Sequence, residues 1–204
     1  MNDLDRALGD IHAIRRQMAN TTEFGGYGPA TLASTATFAV LAAIIQQVWL
    51  PDAGLHLAAY LTLWVSTALL SALLTVVQMH TRARRVHSAL SDEMIRMAVE
   101  QFLPALVAGL LFTVVLLGSV PDVAWMLPGI WQILFSLGIF SSCRFLPKPM
   151  RVAGAWYLLT GLICIALGDA HAFSPWAMGI PFGIGELLIA AILFFCISEE
   201  HGER

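Results

Sequence analysis

Charge is what this sequence has least of. Only 12% of its 204 residues are Asp, Glu, Lys or Arg, while 58% are hydrophobic. That balance excludes an ordinary soluble domain. It excludes a disordered chain too, because disorder needs low hydrophobicity and high net charge. Cysteine is almost as scarce. Cys143, Cys164 and Cys196 each lie inside an apolar run, with no CxxC and no metal-ligand spacing, and read as small buried hydrophobes. Also missing are GxSxG, HExxH, a P-loop and any cluster of carboxylates, so nothing marks an enzyme and no cofactor is assigned. The first 29 residues lack the apolar core of a cleavable signal peptide, and the first apolar run is expected to act as its own insertion signal. Short alternating segments of the kind that build a membrane β-barrel are absent as well.

What the chain has instead is length in its apolar runs. Six of them, at about 30–49, 57–78, 102–120, 123–143, 152–168 and 176–197, approach or exceed the roughly 20 residues that span a bilayer as a helix. The expected fold is an all-α membrane protein of six transmembrane helices. Residues 1–29 form a cytoplasmic segment, 30–197 the bundle and 198–204 a cytoplasmic tail. Within the first segment Leu4, Leu8, Ile11, Ile14 and Met18 recur on one helical face, the pattern of a helix lying on a membrane surface. Gly25, Gly26, Gly28 and Pro29 then break it and make a hinge into the first run.

The few charges are sorted by side. All eleven Lys and Arg residues fall before run one, between runs two and three, between four and five, or after six. The other three connections carry none. The positive-inside rule therefore expects both termini in the cytoplasm, and a multi-pass protein of a plasma (inner) membrane. Those other three connections share a motif: Leu50-Pro51-Asp52-Ala53, Val120-Pro121-Asp122-Val123 and Leu167-Gly168-Asp169-Ala170. With Gly129-Ile130-Trp131-Gln132 echoed by Gly183-Ile184-Gly185-Glu186, this suggests three helical hairpin repeats of like orientation.

One acid lies deep inside a run. Glu186 is about ten residues from the start of the sixth, roughly 15 Å along the axis and close to a bilayer midplane. An ionisable side chain at that depth is expensive and marks a functional site by default. Gly179, Gly183, Glu186 and Ala190 share one face, a small-residue surface of the sort that packs on another helix. Polar residues elsewhere are its candidate partners: Gln132 and Ser136 on run four, and Tyr60, Thr67 and Ser71 on one face of run two. With Gly183 they form the expected ligand-binding set around Glu186. Interhelical packing is the plainer account of each of them, because polar groups in lipid turn inward to find partners.

Other features carry weaker signals. Asp52, Asp122 and Asp169 sit where turns and helix caps favour aspartate. His56 and His171 form no spaced pair that defines a metal or haem site. Arg82, Arg84 and Arg85 make a basic cluster suited to anionic headgroups.

Three functions are carried forward. The first is a non-enzymatic protein that binds or translocates a small solute, cation or proton at Glu186. The second is a regulatory or scaffold subunit working through its N-terminal helix and the 79–101 connection. The third is a membrane enzyme or haem protein. Expected partners are the lipid bilayer, a second copy of the chain and a protein at the cytoplasmic face, with no nucleic acid.

Overall fold

The computed structural model describes residues 29–86, 89–143 and 149–202, and every regular element among them is a helix. In chain order these are α1 (Pro29–Trp49), α2 (Leu57–Val86), α3 (Ala89–Ser119), a 3-10 turn (Pro121–Met126), α4 (Leu127–Ser142), α5 (Met150–Ala166), the short α6 (Asp169–Ala172) and α7 (Pro175–Gly202). The surface helix expected at residues 2–19, and Arg144 and Lys148, lie outside the described residues. Five helical stretches are long and apolar enough to cross a membrane: Thr31–Trp49, Leu57–Gln78, Val99–Ser119, Pro121–Ser142 and Pro175–Phe195. α5 has 17 residues and falls below that length. Its axis is about 26 Å, against about 30 Å of hydrocarbon.

Helix limits depart from the apolar runs where local chemistry overrides hydropathy. α2 and α3 have 30 and 31 residues, so both continue past their apolar stretches toward the connection at 87–88. The run expected at 123–143 starts as a 3-10 turn. Pro128 has no N–H to offer the Ala124 carbonyl, and the Leu127 N–H bonds it instead, three residues on. Between α5 and α7, Gly168 adopts φ 76, which proline's fixed ring cannot reach. This is why the third connection reads Gly-Asp where the other two read Pro-Asp.

The helices pack side by side in the order α2–α1–α7–α5–α4–α3, with α3 also touching α2. α1 packs more extensively on α7 than on its sequence neighbour α2, and α4 more on α5 than on α3. Both closest pairs are antiparallel. Along α1 and α7 the contacts run from Ala43 against Gly179 to Thr35 against Glu186. Along α4 and α5 they run from Gly129 against Gly161 to Phe140 against Gly154. The α4–α5 crossing is held by backbone contact. A methyl at Gly129 would lie 2.7 Å from the Gly161 carbonyl oxygen, and one at Gly161 2.8 Å from the Gly129 oxygen.

Two apolar cores stack along the bundle. The first, toward the three turn-bearing connections, gathers Ala42, Ala43, Ala53, Tyr60, Trp64 and Met178. The second, toward the opposite end, gathers Leu32, Ile139, Met150, Ala153, Tyr157, Ala190 and Leu193. Phe182 packs against both. The outer faces are apolar as well: Leu70 and Leu73 on α2, and Leu110, Leu111 and Val114 on α3, are exposed. A bundle that is greasy outside and hydrogen-bonded inside suits lipid as its solvent.

Candidate functional site

α7 organises the interior because Pro181 interrupts it. Proline cannot donate to the carbonyl four residues earlier, so the Ala177 oxygen loses its helical partner. In lipid such a group must be satisfied by a neighbour. Gln132 of α4 does so, its Nε2 donating to the Ala177 oxygen at 2.9 Å. One turn further on, the Trp156 Nε1 of α5 donates to the Pro181 oxygen at 2.9 Å. At the end of α6, just before α7, Gln46 of α1 donates to the Phe173 oxygen at 2.7 Å and accepts from the Trp64 Nε1 at 2.8 Å. Two helices, α4 and α5, thus supply side-chain donors to α7 around its proline, and α1 supplies one to the turn that precedes it.

Glu186 lies five residues past Pro181, half-buried between α1 and α5. The hydroxyl of Thr35 donates to its Oε2 at 3.0 Å. That same hydroxyl is 2.9 Å from the Leu32 carbonyl oxygen, and its one proton can serve only one acceptor at a time. The Tyr157 hydroxyl faces the carboxyl from α5, close enough to interact with it but outside hydrogen-bond geometry. Tyr157 reaches this position because Gly185 lets its ring lie on the α7 backbone, where any side chain would overlap the hydroxyl. Phe135 and Phe182 hold the ring at centroid distances of 4.8 and 5.2 Å.

The residues singled out in the sequence separate into different settings. Gly183 lies beside Glu186 on the seam with α1, where its Cα approaches Val40. Gln132 and Ser136 are both fully buried, but each serves a backbone carbonyl. Ser136 donates to the Gly154 oxygen at 2.8 Å. Tyr60 is fully buried near the turn-bearing end, edge-on to Phe173 at 5.1 Å. Thr67 bonds its own helix at the Leu63 oxygen, and Ser71 sits half-exposed a turn further along α2. Neither is brought to Glu186. Asp169 bonds the Ala170 N–H at 2.8 Å, a local turn contact. His56 and His171 are exposed, and no group of three or more His, Cys, Asp or Glu side chains among the described residues is placed to hold a metal.

Two members of the site, Thr35 and Tyr157, stand outside the set expected from sequence. The available signals were faint: Thr31 and Thr35 at helical spacing in an otherwise apolar run, and one tyrosine flanked by Gly154 and Gly161. Among the described residues, four buried side-chain oxygens have no hydrogen-bond partner: Thr31 Oγ1, Tyr60 OH, Gln132 Oε1 and Tyr157 OH.

Helix composition, length and the inward turn of polar groups together define a multi-pass α-helical membrane protein. No family model, no curated protein and no solved structure matches the chain.

Proposed function

We propose that this is a non-enzymatic protein of a plasma (inner) membrane, with six spans and both termini cytoplasmic, that binds or moves a proton, cation or small solute at Glu186. Among these the proton is the occupant the geometry favours. The carrying observation is the Thr35 hydroxyl, within hydrogen-bond reach of both Glu186 Oε2 and the Leu32 oxygen. As a carboxylate, Glu186 accepts the Thr35 proton. As an acid, it donates its own proton to Thr35 Oγ1, and the threonine proton turns to Leu32. One rotating hydroxyl therefore satisfies both protonation states, and no backbone shift is required.

The sixth span in this reading is α5. Although short, it is flanked by α4 and α7, and a bilayer accommodates a short span by thinning locally. The segregation of all eleven basic residues supports the orientation.

The test compares Glu186→Gln and Glu186→Leu in proteoliposomes. Gln keeps size and hydrogen bonding but cannot titrate, so it should fold normally and lose proton-coupled flux. Leu should also lose stability, by about the 1–2 kcal/mol found for interhelical hydrogen bonds in model peptides. Unchanged flux in the Gln variant would refute a titrating role.

A further inference from the structure

The four unpartnered polar atoms are not scattered over the bundle. Buried polar groups are nearly always hydrogen-bonded, and exceptions call for a reason. Tyr60 and Met178 share one core cluster, and the Gln132 amide also reaches the Met178 sulfur, at 3.7 Å. Tyr60 OH and Gln132 Oε1 therefore lie in one layer, level with Met178 of α7. Eight residues along, or about 12 Å, come Glu186 and the Tyr157 hydroxyl. Thr31 is one turn beyond Thr35 on α1, toward the opposite end. Unmet hydrogen-bonding capacity thus occurs in two layers on the same axis.

Between the layers stands an aromatic step. Phe182 packs on Phe135 at 5.5 Å and on Tyr157 at 5.2 Å, and it is the residue that touches both cores. It directly follows Pro181, where α7 lacks a helical hydrogen bond and is held by Gln132 and Trp156. Apolar constrictions interrupt conduction by excluding water, and a proline is where a helix kinks.

We infer that Phe182 is the barrier on a single proton route, closing the Glu186–Tyr157 layer off from an access layer at Gln132 and Tyr60. The inference rests on the proton reading of Glu186 given above. In the closed arrangement Glu186 exchanges protons toward Thr31, and swinging Phe182 aside connects it with Tyr60 and Gln132. Each transfer makes one O–H bond and breaks another, so no co-reactant is involved. Tyr157 is the titratable side chain that faces Glu186 from α5, while α1 presents the Thr35 hydroxyl.

Proton flux into proteoliposomes under an imposed pH gradient, read with an entrapped dye, tests this. Phe182→Ala should raise flux several-fold, and adding Glu186→Gln should return it to the level of Glu186→Gln alone. Tyr60→Phe deletes one atom that has no partner, so folding should be untouched and thermal stability unchanged. A packing role for Tyr60 predicts unaltered flux, whereas the route predicts a several-fold fall. If Phe182→Ala does not fold, Tyr60→Phe decides alone. The inference is overturned if Tyr60→Phe conducts like wild type, or if the flux gained in Phe182→Ala survives Glu186→Gln. Should Glu186→Gln leave wild-type flux unchanged, the reading of Glu186 itself fails, a different result from loss of the barrier alone.

Discussion

Gln132 supplies the hydrogen bond that Pro181 takes away, and that exchange can be measured. Gln132→Leu leaves the Ala177 carbonyl buried without a donor, which costs about 1–3 kcal/mol in a protein interior. Interhelical bonds in membrane proteins average lower, about 0.6 kcal/mol with a maximum near 1.7. The single variant underestimates the bond, because Leu also deletes Oε1, an acceptor that already has no donor. A double-mutant cycle removes that ambiguity. In Pro181→Ala the new backbone N–H serves Ala177 directly, and the Gln132 amide becomes redundant. Gln132→Leu should then cost about 0.6–1.7 kcal/mol less than it does beside proline, roughly a three- to twentyfold change in the unfolding equilibrium. Reversible denaturation in mixed detergent micelles, carried out on wild type, both single variants and the double, gives the coupling. Equal costs of Gln132→Leu in both backgrounds, within about 0.5 kcal/mol, would refute the exchange and with it the account of why a glutamine is buried there.

Other expectations follow from single contacts. Gly129→Ala forces a methyl onto the Gly161 backbone oxygen and should destabilise by about 1–3 kcal/mol, while Gly118→Ala, with nothing within 4 Å, should be neutral or slightly stabilising in the same denaturation assay. Trp64→Phe removes the donor to Gln46 Oε1 and should cost about 1 kcal/mol, with packing largely kept. Single cysteines at Gly54, Asp122 and His171 should react with a membrane-impermeant reagent from outside, and those at Arg85 and Lys148 only from inside; an outside reaction at Arg85 would overturn the proposed orientation.

The apolar stretches were legible because lipid demands continuous runs, and that demand is written residue by residue. The contact between Glu186 and Thr35 was not. Thr37, Thr62, Thr75 and Thr113 all bond carbonyls of their own helices, so a threonine in an apolar helix carries no local mark of a distant partner. Thr35 differs only because α1 packs on α7, a pairing that skips every intervening helix. The face Gly179–Gly183–Glu186 could be read as a packing surface, but not the helix it packs on. On α2 the spacing of Tyr60, Trp64, Thr67 and Ser71 gives a face correctly, yet only Tyr60 and Trp64 are buried. Periodicity reports direction around a helix. It does not report how far along the axis a neighbour follows.

The pairing of α1 with α7 also sets a clock. Thr35 and Glu186 are 151 residues apart in the chain. At roughly 5–20 residues per second of synthesis, about 8–30 s separate their emergence from the ribosome. Throughout that interval α1 sits in the membrane with its alanine-lined groove unfilled, and the Gln46 amide lacks the Phe173 carbonyl it will serve. Assembly of this protein is therefore completed last to first. Until then the half-made bundle carries a hydrogen-bonding edge that the finished protein no longer has.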